Sequence, residues 1–212
     1  MSVNIKSLDK INDDLANSNN TCELLIVTKN RSEEDIKLLL NLGYTTFGEN
    51  RIQEAKKKFT QFENYNFDLH LIGPLQSNKC EIALNLFDTI QSVDRKKIID
   101  MIHDISSIKE GVKTKFFYLQ VNIGKEIQKN GIIPDEIDHM YEYSLKKGLN
   151  IVGLMCIPPN IPDPSEYFDK MLEIRNKINN KLRLSMGMSN DYEYALKKKS
   201  NMIRVGSKIF DD

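Results

Sequence analysis

Lys29 is the residue in this sequence best placed to do covalent chemistry. It follows an apolar, strand-like run from Leu24 to Thr28, and Asn30 then breaks the pattern. Such a run is typical of a strand buried on both faces in a parallel α/β fold, where the carboxyl ends of the strands surround the site. Because burial and neighbouring cations favour a neutral amine, Lys29 is a candidate for Schiff-base formation. The alternative is a solvated lysine at the end of a strand.

Two short polar segments near the end of the sequence have the composition of an anion site. Ser189-Asn190 comes directly before a helical pattern, and Gly206-Ser207 follows an apolar run of strand character. Barrels commonly bind phosphate on the loops after strands 7 and 8, where free N–H groups and a helix dipole favour an anion. These segments therefore predict a phosphate site. The alternative is that Gly206 only turns the chain and the serines only cap it.

Arg204 adds a third feature to the predicted site. It lies two residues before Gly206, so the two residues share one face of the strand. A lysine that forms a Schiff base, a phosphate site and an arginine match the aldehyde, the phosphate and the ring nitrogen of pyridoxal phosphate. Together, the three features favour this cofactor as the ligand.

The elements that must position these residues alternate along the whole chain of 212 residues. The predicted strands cover residues 24–29, 45–50, 68–73, 89–93, 115–123, 150–157, 181–188 and 202–210. A helical pattern follows each strand but the last, and an amphipathic helix from Ile5 to Leu15 precedes the first. This count predicts an α/β fold, a (β/α)8 TIM barrel. We expect residues 1–212 to form a single domain, because no linker or low-complexity segment interrupts them.

Composition excludes several other classes of protein. Lys and Arg together number 30, as do Asp and Glu, so the balanced charge gives no electrostatic case for nucleic acid or an anionic membrane. No apolar stretch approaches the length of a membrane span, and the chain opens with no signal-peptide pattern. Cys22, Cys80 and Cys156 are too far apart for a disulfide framework or a metal site. We therefore expect a cytoplasmic protein.

Several motifs occur in the order in which they appear in the pyridoxal phosphate homeostasis proteins. They are Thr28-Lys29, FGEN at 47–50, HLIGPLQSNK at 70–79, SVDR at 92–95, Gly153-Leu154-Met155, SMGMS at 185–189 with Asp191, and RVGS at 204–207. The sequence resembles this family over nearly its whole length, and the third and sixth motifs are long and specific. It departs from the family pattern at Leu69, Ser207 and Lys208, and in ending soon after its last strand.

The resemblance implies a fold and a set of cofactor contacts. The fold would be the alanine-racemase-like barrel of fold-type III pyridoxal phosphate proteins. Lys29 would form the internal Schiff base, and Arg204 would contact the pyridine nitrogen. The remaining expected contacts are Ser189, Gly206, Ser207 and the amide of Asn190 at the phosphate, with Ser185 also within its reach, Asn50 near the cofactor and Met155 against its ring.

The arginine also bears on whether the protein is an enzyme. A guanidinium keeps its proton, so Arg204 should leave the pyridine nitrogen unprotonated and the ring a poor electron sink. Racemases of this fold draw a second base from a further domain and a partner subunit, which this sequence does not supply. His70, the obvious base by residue type, is expected to be structural.

We therefore expect a monomeric carrier without significant catalytic activity. It would hold pyridoxal phosphate, limit the free aldehyde and hand the cofactor to apo-enzymes that depend on it. Two alternatives remain at this point: a slow amino-acid racemase and a phosphosugar aldolase that uses the same lysine.

Overall fold

The computed structural model describes residues 3–18 and 20–210 of the chain. The strands are β1 (Glu23–Val27), β2 (Thr46–Glu49), β3 (Asp68–Leu71), β4 (Thr89–Val93), β5 (Phe116–Val121), β6 (Ile151–Cys156), β7 (Arg183–Met188) and β8 (Met202–Val205). The α-helices are α1 (Ile5–Ala16), α2 (Glu33–Asn41), α3 (Ile52–Phe59), α4 (Cys80–Leu86), α5 (Lys96–Ile108), α6 (Ile137–Lys146), α7 (Ser165–Ile178) and α8 (Tyr192–Lys197). Single 3₁₀ turns cover residues 60–62, 77–79 and 134–136.

The eight strands form a closed parallel barrel in which each strand pairs with its neighbours in chain order. The barrel closes where β1 pairs with β8, with Leu25 opposite Arg204. Helices α2 to α8 each follow the strand of one lower number, and α1 precedes β1. The predicted (β/α)8 TIM barrel is confirmed.

Six of the eight strands end earlier than the sequence pattern indicates, and for the first and the last strand the difference bears on the predicted site. The first strand ends at Val27, because the backbone N–H of Arg31 bonds to the carbonyl of Thr28 at 3.0 Å and turns the chain. The last strand ends at Val205 rather than at residue 210, where the N–H of Ile209 bonds back to the carbonyl of Gly206 at 2.8 Å. Both predicted site segments therefore lie in turns just beyond their strands.

Helix α1 completes the outer layer, as the apolar stripe in its sequence predicts. Its first turn is capped by Asn4, whose side-chain oxygen accepts a hydrogen bond from the N–H of Ser7 at 3.0 Å. Leu8 and Ile11 are buried against the barrel. The hydroxyl of Tyr192 in α8 donates to Asp14 at 2.7 Å, which ties the first helix to the last. No helix in the described part of the chain is long and apolar enough to cross a membrane.

Small residues let large side chains fill the barrel interior. A Cβ at Gly48 would lie 2.3 Å from the side chain of Leu25, and one at Gly153 would lie 2.3 Å from the ring of Tyr118. Both large side chains are fully buried. Large side chains therefore fill the middle of the barrel. Within the barrel, a ligand has room at the carboxyl ends of the strands.

Candidate cofactor site

A cavity of about 690 Å³ opens at the carboxyl ends of the strands. Of the residues predicted from the sequence to form a site, seven line it: Lys29, Asn50, Ser189, Asn190, Arg204, Gly206 and Ser207. These residues come from the ends of β1, β2, β7 and β8, so closure of the barrel brings together segments that are far apart in sequence. The other two, Met155 and Ser185, are fully buried and do not line the cavity.

Lys29 projects from a tight turn, residues 28–31, which we call the lysine turn. The turn is closed by the bond from Arg31 to Thr28, and Asn30 adopts a φ of 60°, in the left-handed region that asparagine tolerates. The side chain of Lys29 is exposed at the mouth of the cavity. Among the described residues its amine forms no salt bridge or hydrogen bond, which leaves it free to react.

The turns after β7 and β8 meet at the wall of the cavity. The N–H of Gly206 donates to the hydroxyl oxygen of Ser189 at 3.3 Å. The backbone amides of Asn190 and Ser207 have no acceptor within the described residues. Helix α8 has only six residues, so hydroxyls and local N–H groups rather than a long helix dipole would attract an anion here.

Arg204 lies at the base of the cavity and is 3% exposed. Its guanidinium donates to the backbone oxygen of Ser185 at 2.6 Å, to the hydroxyl of the same residue at 2.9 Å and to the carbonyl of Cys156 at 2.7 Å. Burial lowers the pKa of Arg204, and the nearby Asp191 opposes this effect. The guanidinium nevertheless remains charged near neutral pH. It is therefore a fixed cation held by neutral acceptors, with no carboxylate bonded to it among the described residues.

A chain of buried polar groups continues from Arg204 into the barrel. The hydroxyl of Ser185 donates to the side-chain oxygen of Gln91 at 2.6 Å, and the amide nitrogen of Gln91 lies 2.8 Å from Nδ1 of His70. An amide N–H can only donate, so Nδ1 accepts and the imidazole is neutral. Burial lowers the pKa of His70 to about 4, in agreement with that state. His70 is thus a buried partner of Gln91 and does not line the cavity.

Sequence reasoning missed part of the cavity wall. The segment 157–161 after β6 lines one side, together with Lys129 and Asp191. The amine of Lys129 donates to the carbonyl of Pro158 at 3.1 Å and so joins the segments after β5 and β6. The paired prolines 158–159 are the only local signal in the sequence, and such a pair is equally typical of the end of a strand. Nothing in the sequence distinguishes Lys129 from the other lysines of the chain.

The barrel belongs to the class of alanine racemase N-terminal domains. The family model with the description "Alanine racemase, N-terminal domain" matches residues 7–212. Among curated relatives, a pyridoxal phosphate homeostasis protein of Aquifex aeolicus is 32% identical over 91% of this chain and 88% of its own. One of Haemophilus influenzae is 36% identical over 90% of this chain and 85% of its own.

A solved structure is also similar to this chain over nearly its whole length. PipY of Synechococcus elongatus PCC7942, with pyridoxal phosphate bound, has a TM-score of 0.82 and 28% identity, and the match covers 97% of this chain and 99% of that one. The chain belongs to the pyridoxal phosphate homeostasis protein family.

Proposed function

We propose that this protein binds pyridoxal 5'-phosphate in the cavity at the carboxyl ends of the strands and holds it as a Schiff base on Lys29. One observation carries the proposal: a free amine, a fixed guanidinium and a wall of hydroxyls and N–H groups face one cavity of about 690 Å³. These groups match the aldehyde, ring nitrogen and phosphate of the cofactor. The names of the relatives and the ligand of PipY support the same assignment.

The roles of the remaining residues follow from their positions. The phosphate would be held by the hydroxyls of Ser189 and Ser207 and by the backbone at Asn190 and Gly206, while Asn50, just after β2, would line the cavity near the cofactor. Two predicted contacts take a different role in this proposal. Because the hydroxyl of Ser185 is bonded to Arg204 and Gln91, we propose that it fixes the arginine rather than contacting the phosphate. Met155 is buried and would support the floor of the cavity.

The protein acts as a carrier in this proposal, not as an enzyme. A permanent cation at the ring nitrogen keeps that nitrogen unprotonated, and the cofactor, which supplies an electron sink when protonated there, loses that capacity. Among the described residues, the cavity wall contains no histidine, tyrosine or cysteine. The wall therefore offers few groups that can remove a substrate proton besides Lys29 itself.

The biological part of the proposal is that the protein limits free pyridoxal phosphate and passes it to apo-enzymes, as a monomer that binds no nucleic acid. The equal numbers of acidic and basic residues support the absence of a nucleic-acid partner. We place the protein in the cytosol. The three cysteines are free thiols, as is usual in a reducing compartment.

The first test is the absorbance spectrum of the purified protein with pyridoxal phosphate, recorded beside Lys29→Ala and Lys129→Ala. The wild type should show a Schiff-base band, and borohydride reduction with peptide mapping should place the adduct on Lys29. Lys29→Ala should lose the band, whereas Lys129→Ala, which removes the other lysine of the cavity wall, should keep it. A band that survives in Lys29→Ala, or adducts scattered over surface lysines, would refute the assignment.

A slow amino-acid racemase is the second candidate, and the match to the alanine racemase family model favours it. It is tested by exchange of the α-proton of alanine or serine in deuterated water. Exchange that requires Lys29 would establish racemase-type chemistry and overturn the pure-carrier proposal. No exchange above the rate with free pyridoxal phosphate is the result expected for a carrier.

A further inference from the structure

The lysine turn is held from outside the barrel by a buried cation. Lys58 of α3 is 5% exposed, and its amine donates to the carbonyl oxygen of Thr28 at 2.6 Å. That carbonyl belongs to the peptide bond directly before Lys29. The same amine pairs with Glu49 at 2.5 Å and with Glu54 at 2.8 Å. A single lysine thus joins the turn to both carboxylates.

The two carboxylates hold the turn as well. Glu49 accepts a hydrogen bond from the hydroxyl of Thr28 at 2.7 Å, and Glu54 accepts one from the backbone N–H of Asn30 at 2.6 Å. The residues on both sides of Lys29 are therefore fixed by side chains of β2 and α3. The reactive side chain of Lys29 itself makes no hydrogen bond or salt bridge within the described residues.

Stability alone is a poor explanation for this arrangement. Burying a lysine and a glutamate removes both charges from water, and an apolar pair of similar size is often at least as stable. Glu49 is completely buried, and its second carboxylate oxygen has no partner within the described residues. The pair sits at the one turn that carries the reactive amine, which indicates a role in positioning.

We propose that Lys58, with Glu49 and Glu54, acts as a positioning residue that keeps the lysine turn in one conformation before pyridoxal phosphate binds. The inference rests on the proposed function, since a rigid turn matters only where Lys29 is the point of attachment. A preformed turn holds the amine in line with the aldehyde and so lowers the entropic barrier of the covalent step. The proposed phosphate contacts lie in the turns after β7 and β8, and none of them is bonded to Lys58, Glu49 or Glu54, so we expect non-covalent binding of the phosphate not to depend on these three side chains.

The test compares a double variant with a matched control. Glu49→Gln/Lys58→Met removes both buried charges, so neither is left unpaired. Lys57→Met removes an exposed charge from the adjacent position of α3. The measured quantities are the rate constant for attachment of pyridoxal phosphate to Lys29, confirmed by peptide mapping, and the affinity of the cavity for inorganic phosphate as a competitor.

In the double variant, attachment should slow by about tenfold or more while the affinity for inorganic phosphate stays within about twofold of wild type. Lys57→Met should leave both quantities unchanged. A general loss of structure would lower both the attachment rate and the affinity for inorganic phosphate. A slower attachment with an unchanged phosphate affinity therefore indicates that Lys58 and Glu49 position the turn. Equal attachment rates in a folded double variant and in the control would overturn the proposal.

A second measurement uses the unmodified protein, so it does not depend on whether the double variant folds. It tests whether the lysine turn is ordered before pyridoxal phosphate binds. Asn30 is an exposed residue, yet its amide is bonded to Glu54. Its hydrogen exchange, followed by NMR without cofactor, should be slower than in an unstructured peptide by at least about a hundredfold. Exchange at the unstructured rate would refute a preformed turn. If the wild type forms no adduct on Lys29, the proposed function fails, but this exchange rate still reports on the turn.

Discussion

Ser185 and Arg204, on the adjacent strands β7 and β8, form a two-point contact in the barrel interior. One guanidinium nitrogen donates to both the backbone oxygen of Ser185, at 2.6 Å, and its hydroxyl oxygen, at 2.9 Å. The hydroxyl of Ser185 in turn donates a hydrogen bond to the side-chain oxygen of Gln91. The orientation of the arginine at the cavity floor is therefore set by a serine that a ligand in the cavity does not need to touch.

Ser185→Ala should destabilise the protein and loosen this arginine. The change leaves the buried oxygen of Gln91 without a donor, a loss that typically costs about 1–3 kcal/mol in free energy of unfolding. Urea denaturation measures this loss, and a shift in the absorbance band of bound pyridoxal phosphate reports on the arginine. Ser106→Ala, on the exposed surface of α5, is the control and should stay within about 0.5 kcal/mol of wild type. A Ser185→Ala protein as stable as this control would show that the contact is unimportant.

The sequence predicted the barrel because its information is local and repeated. Each apolar run followed by a helical pattern is one β/α unit, and eight such units leave few other folds. Lys29, Arg204 and Gly206 were found because they lie at or near the ends of such runs, and strand ends meet at one rim of a barrel. For these residues, position along a strand was enough to predict the cavity they line.

Depth inside the barrel was harder to predict. Ser185 and Met155 point inward, like the cavity residues, but lie in a lower layer. The layer that an inward residue occupies depends on the stagger of the strands, which is fixed only when the whole barrel closes. Lys58 was missed for a related reason: beside Lys56 and Lys57 it looks like part of a solvated helix face, and only the packing of α3 shows that it is buried.

Acid should destabilise the protein through His70. The unfolded imidazole has a pKa of 6.5 and the buried one a pKa of about 4, so between these values only the unfolded state binds the proton. The contribution of His70 to the free energy of unfolding is fully present above pH 6.5 and is lost as the pH falls to about 4. The shift corresponds to about 3 kcal/mol in the free energy of unfolding.

Denaturation at a series of pH values, with His70→Gln beside the wild type, measures this contribution. Glutamine also presents a polar group to Gln91 but does not titrate. The stability of the His70→Gln protein should therefore decline less than that of the wild type between pH 6.5 and about pH 4. His139→Gln, at an exposed position of α6, should follow the wild-type curve. Parallel curves for all three proteins would mean that His70 titrates normally.

Ser189→Ala should weaken the hold on the phosphate and leave the rest of the site intact. The hydroxyl of Ser189 is bonded to the N–H of Gly206 on the cavity wall, where we place the phosphate. Loss of one hydrogen bond to a charged group lowers affinity by about tenfold. Equilibrium titration with pyridoxal phosphate should show this loss, whereas titration with pyridoxal, which lacks the phosphate, should give the wild-type value. An equal loss for both ligands would place the phosphate elsewhere.

Gly187→Ala should be one of the most damaging single changes near the site, because two costs coincide there. The residue has a φ of 98°, which L side chains rarely adopt, and a Cβ would lie 2.6 Å from the Cβ of Ala195 and 3.0 Å from the Cα of Tyr192. Backbone strain and overpacking together should cost about 2–4 kcal/mol in free energy of unfolding. Gly111→Ala separates the two costs.

Gly111 has a φ of 79° with nothing within 4 Å of its Cβ position, so its substitution should cost only the strain, about 1 kcal/mol. The difference between the two variants in urea denaturation then measures how tightly α8 packs on the end of β7. Because α8 begins three residues after Ser189, a shift of this helix should also lower the affinity for pyridoxal phosphate more than that for pyridoxal. Equal losses of stability in the two alanine variants would mean that α8 moves aside at little cost, and that its position does not set the geometry of the phosphate wall.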